Sequence, residues 1–312
     1  MATTSDRAAL LGAIGRTPVV RLERLAGPDV GEVWVKLEST NPTGSYKDRM
    51  ALAMIEGAER SGRLRPGQTV VEYTGGSTGS SLAFVCAVKG YRLRIVTSDA
   101  FAPEKLALMR AFGAELDVIP SPAGITPDLI PSMMRRASEI VEEVDGFATD
   151  QFNNSDMIDG YAELGRELLG QLEGRLDAFC AYVGTAGCFL GATRALRSAL
   201  PDLHRAVVEP GESPVLSGGA PGTHHIEGGG VGFWPPLLSA EDFDEVVAVP
   251  EAEAVEMARR VAREEGLLSG PSTGANIVAA LGLARRLGRG ARVATLNVDS
   301  GLKYLAGDLH AA

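Results

Sequence analysis

Residues 69–98, TVVEYTGGSTGSSLAFVCAVKGYRLRIVTS, decide the architecture. They read as a strand (69–73), a turn of glycine and hydroxyl residues, a helix (78–88) and a second strand (93–97). Both strands are continuous apolar runs rather than alternating ones, the pattern of parallel strands covered on both faces. Parallel neighbours need a crossover, and a helix is the usual one.

Outward from this unit the alternation continues. Strand-like runs fall at 17–22, 32–37, 115–119, 177–184, 204–210, 245–250 and 292–298. Helical periods fall at 48–59, 103–112, from Pro127 to Val144, and at 157–172, 189–200, 251–265 and 272–287. Such alternation predicts a doubly wound α/β architecture, in which ligands sit at the turns leading from strands into helices. Residues 211–238 have no regular period and are rich in glycine and proline, and a loop of that length is more often functional than idle. The charges of 251–265 form a solvated face, with alanine and valine as the core stripe.

The chain has 312 residues, enough for two modest lobes or one large unit. Hydrophobic residues at 45% and charged residues at 22% exclude disorder, collagen and coiled coil. A net charge of −10 leaves no basic footprint for nucleic acid or an anionic membrane. No segment has the run of apolar residues that a membrane helix or signal peptide needs, so a soluble cytoplasmic protein is expected. Cys86, Cys180 and Cys188 each lie in an apolar stretch without CxxC spacing and read as buried reduced thiols.

Three glycine-rich turns follow strands or open helices: 72–81, 183–192 and 269–277. The first two fit either an anion cup at a helix N-terminus or a plain capped turn. The second lacks both the Walker lysine and the GxGxxG spacing. Ser272 at a helix start is the usual place for a cap. Lys47 also opens a helix, where its charge opposes the macrodipole. Adjacent His224 and His225 point apart and have no third ligand at metal spacing, so no metal site is expected.

In order and spacing, NPTGSYKDRM (41–50), TGGSTGSSLA (74–83), GTAGC (184–188), THHIEGGGVGF (223–233), GPSTGAN (270–276) and DSGLKYL (299–305) resemble the cysteine synthase (O-acetylserine sulfhydrylase) and cystathionine β-synthase family of fold type II pyridoxal-phosphate enzymes. The resemblance runs from Thr17 to Leu305. It implies pyridoxal 5'-phosphate as cofactor and two doubly wound lobes with mostly parallel sheets. One is a small, mobile lobe at 37–148; the other is a large, cofactor-binding lobe at 1–36 and 149–312. It also implies a homodimer, with the tail of serine acetyltransferase as a further partner. No appended regulatory domain is expected, since the sequence stops soon after DSGLKYL.

By position, Lys47 matches the lysine that forms the Schiff base and moves the Cα proton. Gly184, Thr185, Ala186, Gly187 and Cys188 match the phosphate loop. Ser272 matches the serine on the pyridine nitrogen, and Ser77 stands where a residue contacts the cofactor's phenolic oxygen. Thr74, Gly75, Gly76 and Thr78, with Gln151, match the group receiving the substrate carboxylate. Gly228, with Gly229 and Gly230, matches a glycine segment lining the entrance.

Three departures stand out. Gly75 and Ser77 occupy positions where the family usually has serine and asparagine, which is expected to leave room in the site. Ala186 and Cys188 replace a usual glycine and threonine. The sequence after Gln151 also differs from the Asn-Pro-rich form common in cysteine synthases. The resemblance implies β-replacement on an activated L-serine. The alternatives are a dehydratase or ammonia-lyase using the same lysine, which the widened loop suits, and a non-catalytic homologue that binds a partner's carboxylate.

Overall fold

The structure, a computed structural model, describes residues 9–122 and 128–310. Its strands in chain order are β1 (Val19–Arg21), β2 (Glu32–Leu37), β3 (Thr69–Tyr73), β4 (Arg92–Ser98) and β5 (Glu115–Ile119). Then come β6 (Phe147–Ala148), β7 (Ala178–Tyr182), β8 (His204–Pro210), β9 (Glu245–Val249) and β10 (Arg292–Asn297). The helices are α1 (Lys47–Ser61), α2 (Ser77–Lys89), α3 (Pro103–Ala111) and α4 (Leu129–Val144). They continue with α5 (Asp156–Gln171), α6 (Gly187–Arg197), α7 (Glu251–Glu265) and α8 (Pro271–Leu287). Pro127, expected to open α4, lies outside the described residues.

The chain divides into two compact units, the first built on Lys47–Met157 and the second on Gly15–Tyr46 and Ile158–Ala312. The first holds a fully parallel four-stranded sheet in the order β5-β4-β3-β6. Leu129, Met133, Ala137 and Ile140, recurring at helical spacing, make the buried stripe of α4 and pack on Val71 and Val96. α1 packs on α2, and α2 on α3. Gly90 closes α2 in the left-handed conformation, φ +81°, with its N–H on the Cys86 carbonyl.

The second unit holds a six-stranded sheet in the order β1-β2-β10-β7-β8-β9. All its pairs are parallel except β1 with β2. The run at 17–22 therefore differs from expectation: it gives a three-residue antiparallel edge strand, with Val20 37% exposed. The ten residues between Arg21 and Glu32 are too few for a helical crossover, so the chain turns back beside itself. α7 buries Ala254, Ala258 and Val261 against α8, which lies on β7, β8 and β10.

Residues 211–238 contain neither helix nor strand. The Glu209 carboxylate accepts from the N–H groups of Leu216 (2.7 Å) and Ser217 (2.9 Å), and Gly230 N–H donates to the Val183 carbonyl at 3.0 Å. No described helix is long and apolar enough to cross a membrane.

Candidate active site

Within the first unit, Lys47 is the first residue of α1 and only 6% exposed, with Asp48 and Arg49 also buried. Burying an ammonium group at the positive end of a helix is doubly unfavourable unless the amine is used. A solvated surface lysine is excluded by that burial.

The turn after β3 gathers four of the expected residues. Gly76 N–H donates to the Thr74 hydroxyl at 3.1 Å, and the Thr78 hydroxyl donates to Gln151 Oε1 at 2.9 Å. Gln151 Nε2 reaches back to the Tyr73 carbonyl at 3.4 Å. Gln151 arrives there because β6 pairs with β3, which carries the chain beyond it to the carboxyl end of β3. Ser77 opens α2, with Gly76 as its extended N-cap.

Two residues in this unit escape the sequence reading. Glu72, 2% exposed, accepts from the Thr149 hydroxyl (2.5 Å), Tyr73 N–H (2.9 Å) and Gln151 N–H (3.3 Å). Burial pushes its carboxyl up to about 7 against those three hydrogen bonds, and Asp150 adds to the rise. A lone acid inside an apolar strand is a signal that sequence alone offers. The second residue is Phe101. A Cβ on Gly75 would lie 2.2 Å from Cγ of its ring, so the room expected at Gly75 is filled.

In the second unit, the turn between β7 and α6 carries Gly184, Thr185 and Ala186, and α6 begins with Gly187 and Cys188. A Cβ on Gly184 would meet the Gly228 carbonyl oxygen at 2.5 Å, and one on Gly229 the Val183 carbonyl oxygen at 2.5 Å. The phosphate-loop candidates and the glycine segment are therefore in backbone contact. Ala186 is the N-cap of α6 with φ +68°, a left-handed conformation that glycine adopts without strain and alanine does not.

Ser272 is the second residue of α8, behind an N-cap at Gly270 and Pro271 at the first position, and is 3% exposed. It is therefore not the helix cap its position in the sequence suggests. Its neighbours fix that helix start: the Thr273 hydroxyl accepts from Val298 N–H at 3.1 Å. Asn276 accepts from Tyr182 N–H at 2.6 Å and donates to the Leu296 carbonyl at 3.0 Å.

The two histidines take separate partners. His224 Nε2 pairs with the Gly230 carbonyl at 2.8 Å, and His225 Nδ1 with Glu251 at 2.9 Å. Among the described residues no group of three or more His, Cys, Asp or Glu is arranged to hold a metal. All three cysteines are buried thiols, and burial pushes Cys86 and Cys180 up to about 12.

Residues 10–299 match the family described as pyridoxal-phosphate dependent enzyme. The chain belongs to that family. This pyridoxal-phosphate enzyme is 44% identical over 299 residues to a cysteine synthase of Staphylococcus aureus (strain Mu50), covering 95% of each chain. Its fold superposes on the crystal structure of an Entamoeba histolytica cysteine synthase with a TM-score of 0.91 and 32% identity, over 97% of this chain and 90% of that one. An O-ureido-L-serine synthase gives 0.90 and 36%, over 96% and 94%. The expected fold class, family and cofactor are borne out by these matches.

Each unit, taken by itself, carries donors whose chemistry suits pyridoxal 5'-phosphate. The first unit supplies a buried primary amine, Lys47, for the aldehyde. The second supplies a helix N-terminus, with buried Thr185 and Gly187 N–H, for the phosphate. It also supplies a buried neutral hydroxyl, Ser272, for the ring nitrogen.

Proposed function

We propose that this enzyme catalyses β-replacement on O-acetyl-L-serine, or a similarly activated L-serine, with sulfide or a related nucleophile, giving L-cysteine or an analogue. The observation that carries the reading is the Thr78–Gln151 hydrogen bond, which joins a glycine-and-hydroxyl turn to a distant glutamine in a cysteine-synthase-like chain. When bound, the cofactor supplies an electron sink at the amino acid's Cα, which makes the β-substituent labile.

The chain's own residues do the rest. Lys47 would hold the cofactor through its amine, and its free Nζ would take the Cα proton of the substrate. Thr74, Gly76, Thr78 and Gln151 orient the substrate carboxylate, and Ser77 donates toward the cofactor's oxygen. Acetate leaves Cβ with the bonding pair, the nucleophile forms the new bond there, and Lys47 returns the proton to Cα. Ser272 would hold the ring nitrogen through a neutral hydroxyl, which is too weak an acid to give up its proton at neutral pH. Gly184–Cys188 hold the phosphate, and Gly228 contributes to the entrance.

The elimination alternative draws on a loop widened at Gly75 and Ser77, and Phe101 fills the space at Gly75. The family resemblance supports extending the proposal to a homodimer, a serine acetyltransferase tail as partner, a cytoplasmic location and a mobile small lobe at 37–148.

The test is the visible spectrum of the purified enzyme. The cofactor band is expected to shift on adding O-acetyl-L-serine and to return as sulfide yields cysteine, with both changes absent in Lys47→Ala. A band that ignores O-acetyl-L-serine would refute the substrate assignment.

A further inference from the structure

We infer that Phe101 is a specificity-determining residue: its ring takes the place of a side chain at residue 75 and forms an apolar wall of the amino-acid loop Thr74–Thr78, limiting the bulk of the substrate's β-substituent. The inference rests on the proposed reading of that loop as the amino-acid site.

The geometry at Gly75 is specific. A Cβ built there would lie 2.2 Å from Cγ and 2.3 Å from both Cδ atoms of Phe101, whereas one on Gly76 would meet nothing within 4 Å. Gly75 is not among the glycines with positive φ. Backbone conformation therefore does not demand glycine at this position; the ring does. Residue 75 and Phe101 are a complementary pair, one giving up its side chain and the other filling the space.

The ring is held from behind. It packs on the cluster of Val71, Val96, Leu129 and Met133 and keeps one part uncovered. Its backbone is fixed at the end of β4: Phe101 N–H donates to the Ser98 carbonyl at 3.3 Å, and Ala100 N–H to the Ser98 hydroxyl at 3.2 Å. The next residues, Ala102 and Pro103, cap and open α3. Because β4 pairs with β3, with Val96 opposite Tyr73, the ring is delivered to the carboxyl end of the strand that carries the loop. A phenyl group offers no hydrogen bond, so a substrate meets only its size and apolar face there.

Two neutral esters, O-acetyl- and O-butyryl-L-serine, separate size from charge. Phe101→Ala is expected to raise the butyryl-to-acetyl ratio of kcat/KM at least tenfold while the cofactor band stays intact. A ratio within twofold of the parent's would overturn the inference. Gly75→Ala is expected to weaken amino-acid binding at least tenfold, with Gly75→Ala/Phe101→Ala restoring it to within threefold. Equal losses in single and double variants would overturn it too. If neither ester turns over, the proposed reaction fails, yet the wall is still tested by the affinities of L-cysteine and S-butyl-L-cysteine, read from the cofactor band. There too, a ratio that Phe101→Ala leaves unchanged would count against it.

Discussion

Replacing Glu72 by glutamine should make the protein's stability less dependent on pH, in a window the structure defines. The Glu72 carboxyl is raised from 4.5 to about 7, chiefly by burial. That gap corresponds to about 3 kcal/mol against the charged form, at about 1.4 kcal/mol for each pH unit. For an acid with a raised folded value, the unfolded chain releases its proton first. The folded state accordingly loses stability as pH rises from about 4.5 to about 7 and none beyond. Between pH 5 and pH 8 the loss is about 2.5 kcal/mol. Glutamine cannot ionise and escapes it. Its amide oxygen keeps the Tyr73 N–H, and its amine faces the Thr149 oxygen, so Gln151 N–H loses its acceptor at a pH-independent cost of about 1 kcal/mol. Urea unfolding of both proteins, saturated with cofactor at pH 5, 6, 7 and 8, should show the variant weaker or equal at pH 5 and stronger by about 1.5–2.5 kcal/mol at pH 8. A stability difference constant across that range would refute the assignment of a buried, neutral-range carboxyl to Glu72.

Gly184→Ala should lower the cofactor bound per subunit at least tenfold at limiting concentration, because the new methyl would lie 2.5 Å from the Gly228 carbonyl. Absorbance of the bound cofactor against protein measures it, and full occupancy would contradict the close approach. Ala186→Gly relieves a left-handed alanine at φ +68° but adds freedom to the unfolded chain. The net gain should be between zero and about 1 kcal/mol in apo-protein unfolding, and a loss above about 1 kcal/mol would argue against that backbone.

Much of the fold was legible because parallel strands buried on both faces write themselves as apolar runs. β2, β3, β5 and β8 fall at the residues the sequence marks, and so does α7. The misses have physical causes. β6 is two residues long, below any period, yet it delivers Gln151 to the site. β1 is apolar in sequence but antiparallel and at an edge, and strand direction is set by the connection rather than by composition. Gly75 is noticeable as a departure from the family pattern. What fills it, Phe101, lies 26 residues away on another strand's end, and only the three-dimensional register shows that the gap is closed.

The order β1-β2-β10-β7-β8-β9 also bears on how the protein is made. β2 emerges early, yet its parallel partner β10 begins 260 residues later, with Arg292 beside Glu32. Until that strand is synthesised, the β1–β2 ribbon and the β7–β8–β9 group have no hydrogen-bonded link, and the central slot of the sheet stands open. At a synthesis rate of about 5–20 residues per second, β2 waits from about 13 to 50 seconds for its neighbour. The first unit, whose four strands all lie between Lys47 and Met157, has them long before then. On the ribosome, the sheet that carries the phosphate-loop candidates is the last to close.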